Sequence, residues 1–212
     1  MLNGISVIDL SRVLAGPYCA QMLADFGATV IKFESPEGDE NRRWPPMSRE
    51  GYSANFTSVN RGKRSMALNL KNPGARAVLK DLAAGADALI HSFLPDTAAR
   101  LGISLEAPRE ASPRLVVCTI SGYTAFGPLA EKRGYDLTVQ AFAGPMSTTG
   151  YPGGTPIRCG VSFIDMSTGL SCHAGVVTAL LNREKTGQGT WVRGLLLETA
   201  VALMGYRAVG WM

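Results

Sequence analysis

The sequence predicts an α/β protein built on an open parallel sheet with helices on both faces. Short β-branched apolar runs alternate with segments of helical periodicity along the chain. This alternation is typical of consecutive β-α-β units, whose right-handed crossovers make the joined strands parallel. The length of 212 residues suits one such unit of ordinary size.

The first β-α-β unit is predicted from the opening residues. A β-branched strand over residues 5–10 is followed by Ala15-Gly16-Pro17 and a helix with apolar residues at helical spacing. Gly27 ends that helix as a C-cap would. A second strand over residues 29–33 ends in the acid Glu34.

The remaining elements continue the same alternation. Residues 35–62 form a long loop rich in Pro, Gly, Asn and Arg, which in a compact domain is more often functional than not. Strands are predicted over residues 65–70, 88–91, 115–120 and 188–193. Helices are predicted over residues 72–84, 95–101, 104–111, 137–143 and 195–208, and over a long segment after residue 165. Arg193-Gly194 interrupts the last junction, and the sequence gives no reason for it.

The composition indicates a soluble globular protein. With 46% hydrophobic and 18% charged residues, no run approaches the apolar length that spans a bilayer. The opening residues lack the basic region of a signal peptide, so a cytoplasmic location is expected. The formal charge of +4 is spread along the chain rather than concentrated in a patch. We therefore expect neither a membrane nor a nucleic-acid partner.

Several kinds of site are disfavoured by the motifs. The four cysteines lack C-x-x-C spacing, which predicts reduced, packed thiols and no metal site. Gly16 stands alone before Pro17 where a dinucleotide-binding turn needs G-x-G-x-x-G, so no NAD or flavin is expected. His91 and His173 have no evident Ser or Cys partner, which disfavours a triad hydrolase and favours structural roles.

Asp165 is the candidate centre of the chemistry. It stands between the apolar run 161–164 and the helix-start signal Ser167-Thr168-Gly169. A helix cap is the commoner role for such a residue. The alternative is an exposed nucleophile held by backbone N–H groups at a helix N-terminus. The pattern alone leaves both roles open.

Five stretches of the sequence resemble the family III CoA-transferases, also called the CaiB/BaiF family. In chain order they are D-L-S-R-V-L-A-G-P-Y-C from Asp9, L-A-D-F-G-A-T-V-I-K-F-E from Leu23, N-R-G-K-R-S from Asn60, G-Y-D from Gly134 with Gln140, and R-E-K-T-G-Q-G from Arg183. The resemblance covers the chain from end to end and implies a Rossmann-like fold. Residues 1–212 then correspond to the large, CoA-binding domain, ending before the linker and second, small domain of the family.

The resemblance implies covalent catalysis by Asp165. In that family the aspartate that opens a D-x-x-[ST]-G helix start is the nucleophile, and Asp165 occupies that place. Its attack on an acyl-CoA would give an acyl-aspartyl anhydride, and the released thiolate would then form an aspartyl-CoA thioester that a carboxylic acid resolves. Capping and catalysis are compatible, with Ser167 or Thr168 better placed to cap the helix.

The resemblance also implies the residues that contact CoA. Those expected along the pantetheine and nucleotide are Val13, Ala15, Leu68, Lys71, Phe93 and Arg100. Tyr135 is expected to flank the acyl end, Arg133 stands where relatives often have lysine, and Trp44 is expected to cover the active site.

Departures from formyl-CoA transferase predict a different substrate. Leu14 replaces a glutamine near the acyl group, Ser35 replaces an arginine and Asn55 a tyrosine. These changes disfavour formyl-oxalate exchange and predict a less polar pocket for a larger acyl group.

Two alternatives to a transferase stay open. The family includes α-methylacyl-CoA racemases, but their catalytic histidine falls where this chain has Tyr135 before Asp136, which disfavours a racemase. Without a second domain, a non-catalytic CoA-binding module or half-enzyme is the other alternative. The expected partners of the full-length form are an acyl-CoA, a carboxylic acid and a second copy in an interlocked homodimer.

Overall fold

The computed structural model describes residues 1–103 and 112–211, in which six strands form one parallel sheet of order β3-β2-β1-β4-β5-β6. The strands are β1 Ser6–Asp9, β2 Thr29–Glu34, β3 Arg64–Ala67, β4 Ala88–His91, β5 Val116–Ser121 and β6 Trp191–Leu195. In register, Ile8 of β1 lies between Ile31 of β2 and Leu89 of β4. This order is that of a doubly wound sheet, and its topological switch point lies between β1 and β4.

Helices connect the strands and cover the sheet. They are α1 Ala15–Asp25, α2 Ala54–Ser58, α3 Pro73–Ala84, α4 Pro95–Leu101, α5 Asp136–Phe142, α6 Phe163–Thr186, α7 Leu196–Met204 and α8 Tyr206–Trp211, with short 3₁₀ turns at Glu40–Arg43 and Pro145–Thr148. The helix predicted over residues 104–111 lies outside the described residues. The predicted strand 88–91 and helix 95–101 are confirmed to the residue.

Two apolar cores lie on opposite faces of the sheet. Successive strand residues point to opposite faces, so Val7 packs towards α1 and α6 whereas Ile8 packs towards α3 and α4. Cys19, Cys118 and Cys172 are buried in the first core as free thiols, as predicted. The predicted parallel sheet with helices on both faces is therefore confirmed.

The end of the chain differs from the prediction. β6 begins later than predicted and runs through Gly194, where a Cβ atom would lie 2.2 Å from Cys172 Sγ. Glycine is therefore required at residue 194 because α6 packs directly on this strand, which accounts for the glycine at this junction. The single predicted helix 195–208 is two helices, α7 and α8, separated at Gly205 with φ of 46°.

The prediction that no segment has the length and apolarity of a membrane span is wrong for the helix α6. Its 24 residues meet that requirement by length and composition. It nevertheless packs against α1, β5 and β6, and near its end the buried Arg183 is paired with Asp87 at 2.9 Å. These contacts are those of a core helix of the α/β domain.

A buried ion pair joins the end of β1 to the N-R-G-K stretch. Lys63 Nζ lies 2.8 Å from Asp9 Oδ2, and both side chains are almost fully buried. It also donates to the carbonyl of Pro17 and to Asn60 Oδ1. Burial would raise the pKa of Asp9, but the charges of Lys63 and Lys32, together with hydrogen bonds from Lys63 and Ser11, outweigh burial and lower it. The pair thus fixes the strand end, the start of α1 and the turn before β3.

We expect Lys63→Met to destabilise the fold by about 3–5 kcal/mol, because it leaves the Asp9 carboxylate buried without a cation. The control is Arg61→Ala, which removes an exposed pair with Asp25 and should cost under about 1 kcal/mol. Urea unfolding of both variants measures the difference. Equal costs would contradict the role assigned to Lys63.

Candidate active site

A single cavity of about 690 Å³ runs along the carboxyl edge of the sheet. Its walls come from the segments that follow β1, β2, β3, β4 and β5, from the loop before α5, and from the start of α6. Ligands of open α/β sheets bind at this edge, at the switch point between strands such as β1 and β4. The fold therefore places the cavity where a binding site is expected.

The cavity brings together the residues selected from the sequence, apart from Trp44. Its lining includes Val13, Leu14, Ala15, Leu68, Lys71, Phe93, Arg100, Arg133, Tyr135 and Asp165. Trp44 follows the first 3₁₀ turn, where its carbonyl accepts a hydrogen bond from Ser53 Oγ at 2.7 Å, and it does not line this cavity. The contacts with CoA assigned to these residues stay predictions.

Four cations that the sequence analysis did not select also line the cavity: Arg12, Lys32, Arg76 and Lys132. Arg76 Nη1 donates to the carbonyls of Leu70 and Lys71, so it fixes the loop that carries the Lys71 side chain. Arg76 stands near the N-terminus of α3, where a positive charge opposes the helix dipole. That unfavourable position is the signal that could have identified it.

The structure corrects the predicted start of the long helix. α6 begins at Phe163, so Asp165 lies in its first turn, and Ser167 and Thr168 lie inside the helix rather than capping it. The apolar run before Asp165 is therefore part of the helix start. The N-cap residue, Ser162, makes no side-chain cap hydrogen bond. The cap comes from another element.

Asp136, the first residue of α5, supplies that cap. Its Oδ2 accepts hydrogen bonds from the backbone N–H groups of Ile164 at 2.8 Å and Asp165 at 3.0 Å. Gln140 Nε2 donates to Oδ1 of the same carboxylate, and Gln140 Oε1 accepts from the backbone of Cys159. Sequence reasoning noted G-Y-D and Gln140 but missed this role, which the i, i+4 spacing of Asp136 and Gln140 on one helix could have indicated.

Close backbone contact sets the position of Tyr135 and Asp136. A Cβ atom on Gly122 would lie 2.4 Å from the Cα of Gly134, and one on Gly134 would meet Gly122 equally closely. Only glycine at both positions lets the loop after β5 touch the loop before α5. The contact brings Tyr135 to the cavity and Asp136 to the start of α6.

The carboxyl group of Asp165 is strongly perturbed. Burial raises its pKa to about 7, with a further contribution from the nearby negative charge of Asp136. The backbone N–H groups that could have stabilised an Asp165 anion are bound to Asp136 instead. Both protonation states of Asp165 are therefore populated near neutral pH, and such a group in a cavity is characteristic of functional sites.

Other titratable groups near the cavity have structural partners. Arg42 forms two hydrogen bonds of 2.7 Å with the Glu34 carboxylate. Burial opposes ionisation of Glu34, yet hydrogen bonds from Arg42 and the backbone of Asp39 lower its pKa to about 2. His91 is buried, which lowers its pKa to about 4, and its ring stacks on Phe93. Within residues 1–103 and 112–211 no cluster of three or more His, Cys, Asp or Glu residues could hold a metal ion.

We expect Asp136→Asn to lower the pKa of Asp165 by about one unit, because it removes a like charge while leaving Asp165 buried. The ¹³C shift of the Asp165 carboxyl, followed by NMR against pH, measures the change. Asp25→Asn, at the far end of α1, is the control and should leave the titration unchanged. An unaltered midpoint in Asp136→Asn would contradict the coupling of the two carboxyl groups.

The chain is similar to proteins of a known family. The profile of CoA-transferase family III matches residues 2–212. Over its whole length, this chain is 37% identical to human succinyl-CoA:glutarate CoA-transferase and 40% identical to a succinate–glutarate CoA-transferase of Agrobacterium fabrum. It covers 48% and 54% of these proteins, about half of their length.

A solved structure has the same fold. A CaiB/BaiF family protein from Brucella suis superimposes on 99% of the chain with a TM-score of 0.94 and 37% identity. The chain covers 57% of that structure.

Proposed function

This chain belongs to CoA-transferase family III, and from that premise we propose that it is the large domain of an enzyme that moves CoA from an acyl-CoA to a carboxylic acid. The observation that carries the proposal is one cavity that combines a partly buried carboxyl group of pKa about 7 with a set of cationic side chains. The carboxyl group of Asp165 is the nucleophile, and the cations bind the phosphates of CoA.

The dimensions of the cavity suit an elongated ligand. Its lining spans β3, β2, β1, β4 and β5, which is four interstrand spacings of about 4.8 Å, or roughly 19 Å. Lys71, Arg76 and Arg100 come from the α3 and α4 side of the sheet, whereas Asp165 comes from α6 on the opposite side. CoA has its phosphates far from its thioester, so the cations bind one part while the carboxylate faces the other.

The proposed reaction proceeds through intermediates on Asp165. A carboxylate oxygen attacks the thioester carbonyl, the C–S bond breaks, and the CoA thiolate leaves an acyl-aspartyl anhydride. The thiolate then attacks the aspartyl carbonyl and releases the donor carboxylate, leaving an aspartyl-CoA thioester. The acceptor carboxylate next attacks the aspartyl-CoA thioester, which releases the thiolate and forms a second acyl-aspartyl anhydride. The thiolate then attacks the acceptor acyl carbonyl of this anhydride, which forms the new acyl-CoA and regenerates the aspartate. No net proton is gained or lost.

The surroundings of Asp165 favour this chemistry. Burial leaves its anion weakly solvated, and Asp136 occupies the N–H groups that would otherwise lower its reactivity. Leu14, Ile120 and Leu196 provide apolar walls in the same cavity. These walls suit an acyl group larger and less polar than formyl, and they limit the access of water to the reactive anhydride.

Substrate and assembly extend the proposal further. Two relatives are named for succinyl or succinate and glutarate, so succinyl-CoA is the first donor to test and glutarate the first acceptor. In the full-length form, residues 1–212 act as the large domain within an interlocked homodimer. The alternative is a CoA-binding module without turnover.

Incubation with succinyl-CoA should give a covalent adduct at Asp165, with the mass of CoA less one water. Intact-mass spectrometry and peptide mapping measure it. Asp165→Ala should abolish the adduct, whereas Asp25→Ala, at an exposed ion pair, should retain it. An adduct on Asp165→Ala would exclude Asp165 as the nucleophile. Saturable CoA binding to the wild-type protein without any adduct would support the binding module.

The rate of adduct formation should depend on the ionisation of Asp165. Below pH 7 it should fall about tenfold per unit, because only the anion attacks, and above pH 7 it should level off. Quenched-flow measurements from pH 5 to 9 give the profile. Asp136→Asn should move the midpoint to lower pH. A rate independent of pH would contradict attack by a carboxylate of this pKa.

A further inference from the structure

Val13 has a backbone conformation that its side chain disfavours. Its φ is 68°, and among residues 1–103 and 112–211 no other non-glycine residue has a positive φ. For a β-branched residue this left-handed conformation is a true outlier, and such strain persists only where surrounding contacts impose it. Val13 lines the cavity, directly before Leu14 and Ala15.

Two side chains hold the Val13 peptide groups: Asp39, the N-cap of the first 3₁₀ turn, and Asn41 within that turn. Asn41 Nδ2 donates to the Val13 carbonyl at 3.0 Å, and the Val13 N–H points to Asp39 Oδ2 at 3.4 Å. Asp39 and Asn41 are both buried, with 1% and 0% of their surface exposed. We call these two residues the Val13 clamp.

The Val13 clamp is itself anchored to the sheet. Asp39 lies 3.0 Å from the buried ammonium group of Lys32 on β2, and its Oδ1 accepts from the Asn41 backbone at 3.0 Å. Lys32 Nζ also donates to the carbonyl of Ser11 at 2.9 Å. On the other side of the loop, the Arg12 N–H donates to Ser92 Oγ. The loop between β1 and α1 is therefore held from β2 and from the segment after β4.

The position of the cavity wall depends on this conformation. Val13 and Leu14 are the last two residues of the loop between β1 and α1, whose first residue is Ala15. If Val13 returned to a negative φ, the direction of the chain would change at that point and Leu14 would move relative to the cavity. A valine would make this change readily without the clamp, whereas a glycine could keep either conformation.

We propose that Asn41 and Asp39 are positioning residues that hold Val13 in the left-handed conformation and thereby preset the β1–α1 loop for CoA. The proposal rests on the proposed function for the identity of the ligand. It adds Asn41 as a determinant of CoA affinity. Asn41 does not line the cavity, and it acts on the ligand through the strained peptide unit of Val13.

The test is a double-mutant cycle on CoA affinity, measured by calorimetry for wild type, Asn41→Ala, Val13→Gly and the double variant. Asn41→Ala should weaken binding about tenfold, because Val13 leaves the left-handed region. In the Val13→Gly background the same change should weaken binding less than about threefold, because glycine adopts this φ without strain. Asn182→Ala, an exposed residue of α6, is the matched control and should bind like wild type.

Two outcomes of the cycle would overturn the proposal. Equal loss of affinity in both backgrounds would show a general structural role for Asn41, and unchanged affinity of Asn41→Ala would show no role in binding. Asn41→Ser, which also loses the contact with Val13, replaces Asn41→Ala if the latter does not fold.

Amide hydrogen exchange separates failure of this proposal from failure of the proposed function. If wild type does not bind CoA, the proposed function fails, but the clamp is still tested by exchange at residues 13–15 without ligand. Asn41→Ala should speed that exchange at least tenfold relative to wild type and to Asn182→Ala. Unchanged exchange would overturn the clamp whatever the ligand is.

Discussion

The geometry of the site depends on the hydrogen bonds that the Asp136 carboxylate accepts from the first turn of α6. A long helix begins there with free N–H groups, and a buried carboxylate is the partner they favour. Because one of these N–H groups belongs to Asp165, the same contact fixes the backbone of the proposed nucleophile. It also places a negative charge near its side chain, which adds to the effect of burial on its pKa. The Asp136 carboxylate therefore affects both the backbone position and the pKa of Asp165.

On the other side of the cavity, buried lysine–aspartate pairs fix the position of the backbone. Lys63 with Asp9 and Lys32 with Asp39 both lie beneath the β1–α1 loop, where burial makes an unpaired charge very unfavourable. Such pairs contribute little net stability compared with apolar packing, but they fix the arrangement of the groups they join. Here they join β1, β2 and the N-R-G-K turn to a loop with a strained Val13. A rigid loop at the switch point lowers the ordering cost of binding an extended ligand.

Close glycine contacts make these polar arrangements possible. Gly122 and Gly134 let two loops touch, and Gly194 lets β6 lie directly against α6. The start of α6 is thereby held between α5 and the sheet, with Asp165 directed towards the cavity. Cationic side chains line the same cavity as Asp165.

The sequence by itself determined the parallel sheet with helices on both faces and the selection of Asp165, because strand and helix periodicity are local and the resemblance rests on contiguous stretches. It did not determine where α6 begins, since an apolar run before Asp165 fits a helix start or a separate segment equally well. Only the tertiary structure decided that Asp136, 29 residues before Asp165, caps this helix and that Asn41, 28 residues after Val13, holds a strained peptide. Both contacts join residues distant in sequence, and no local pattern specifies which distant groups the folded chain brings together.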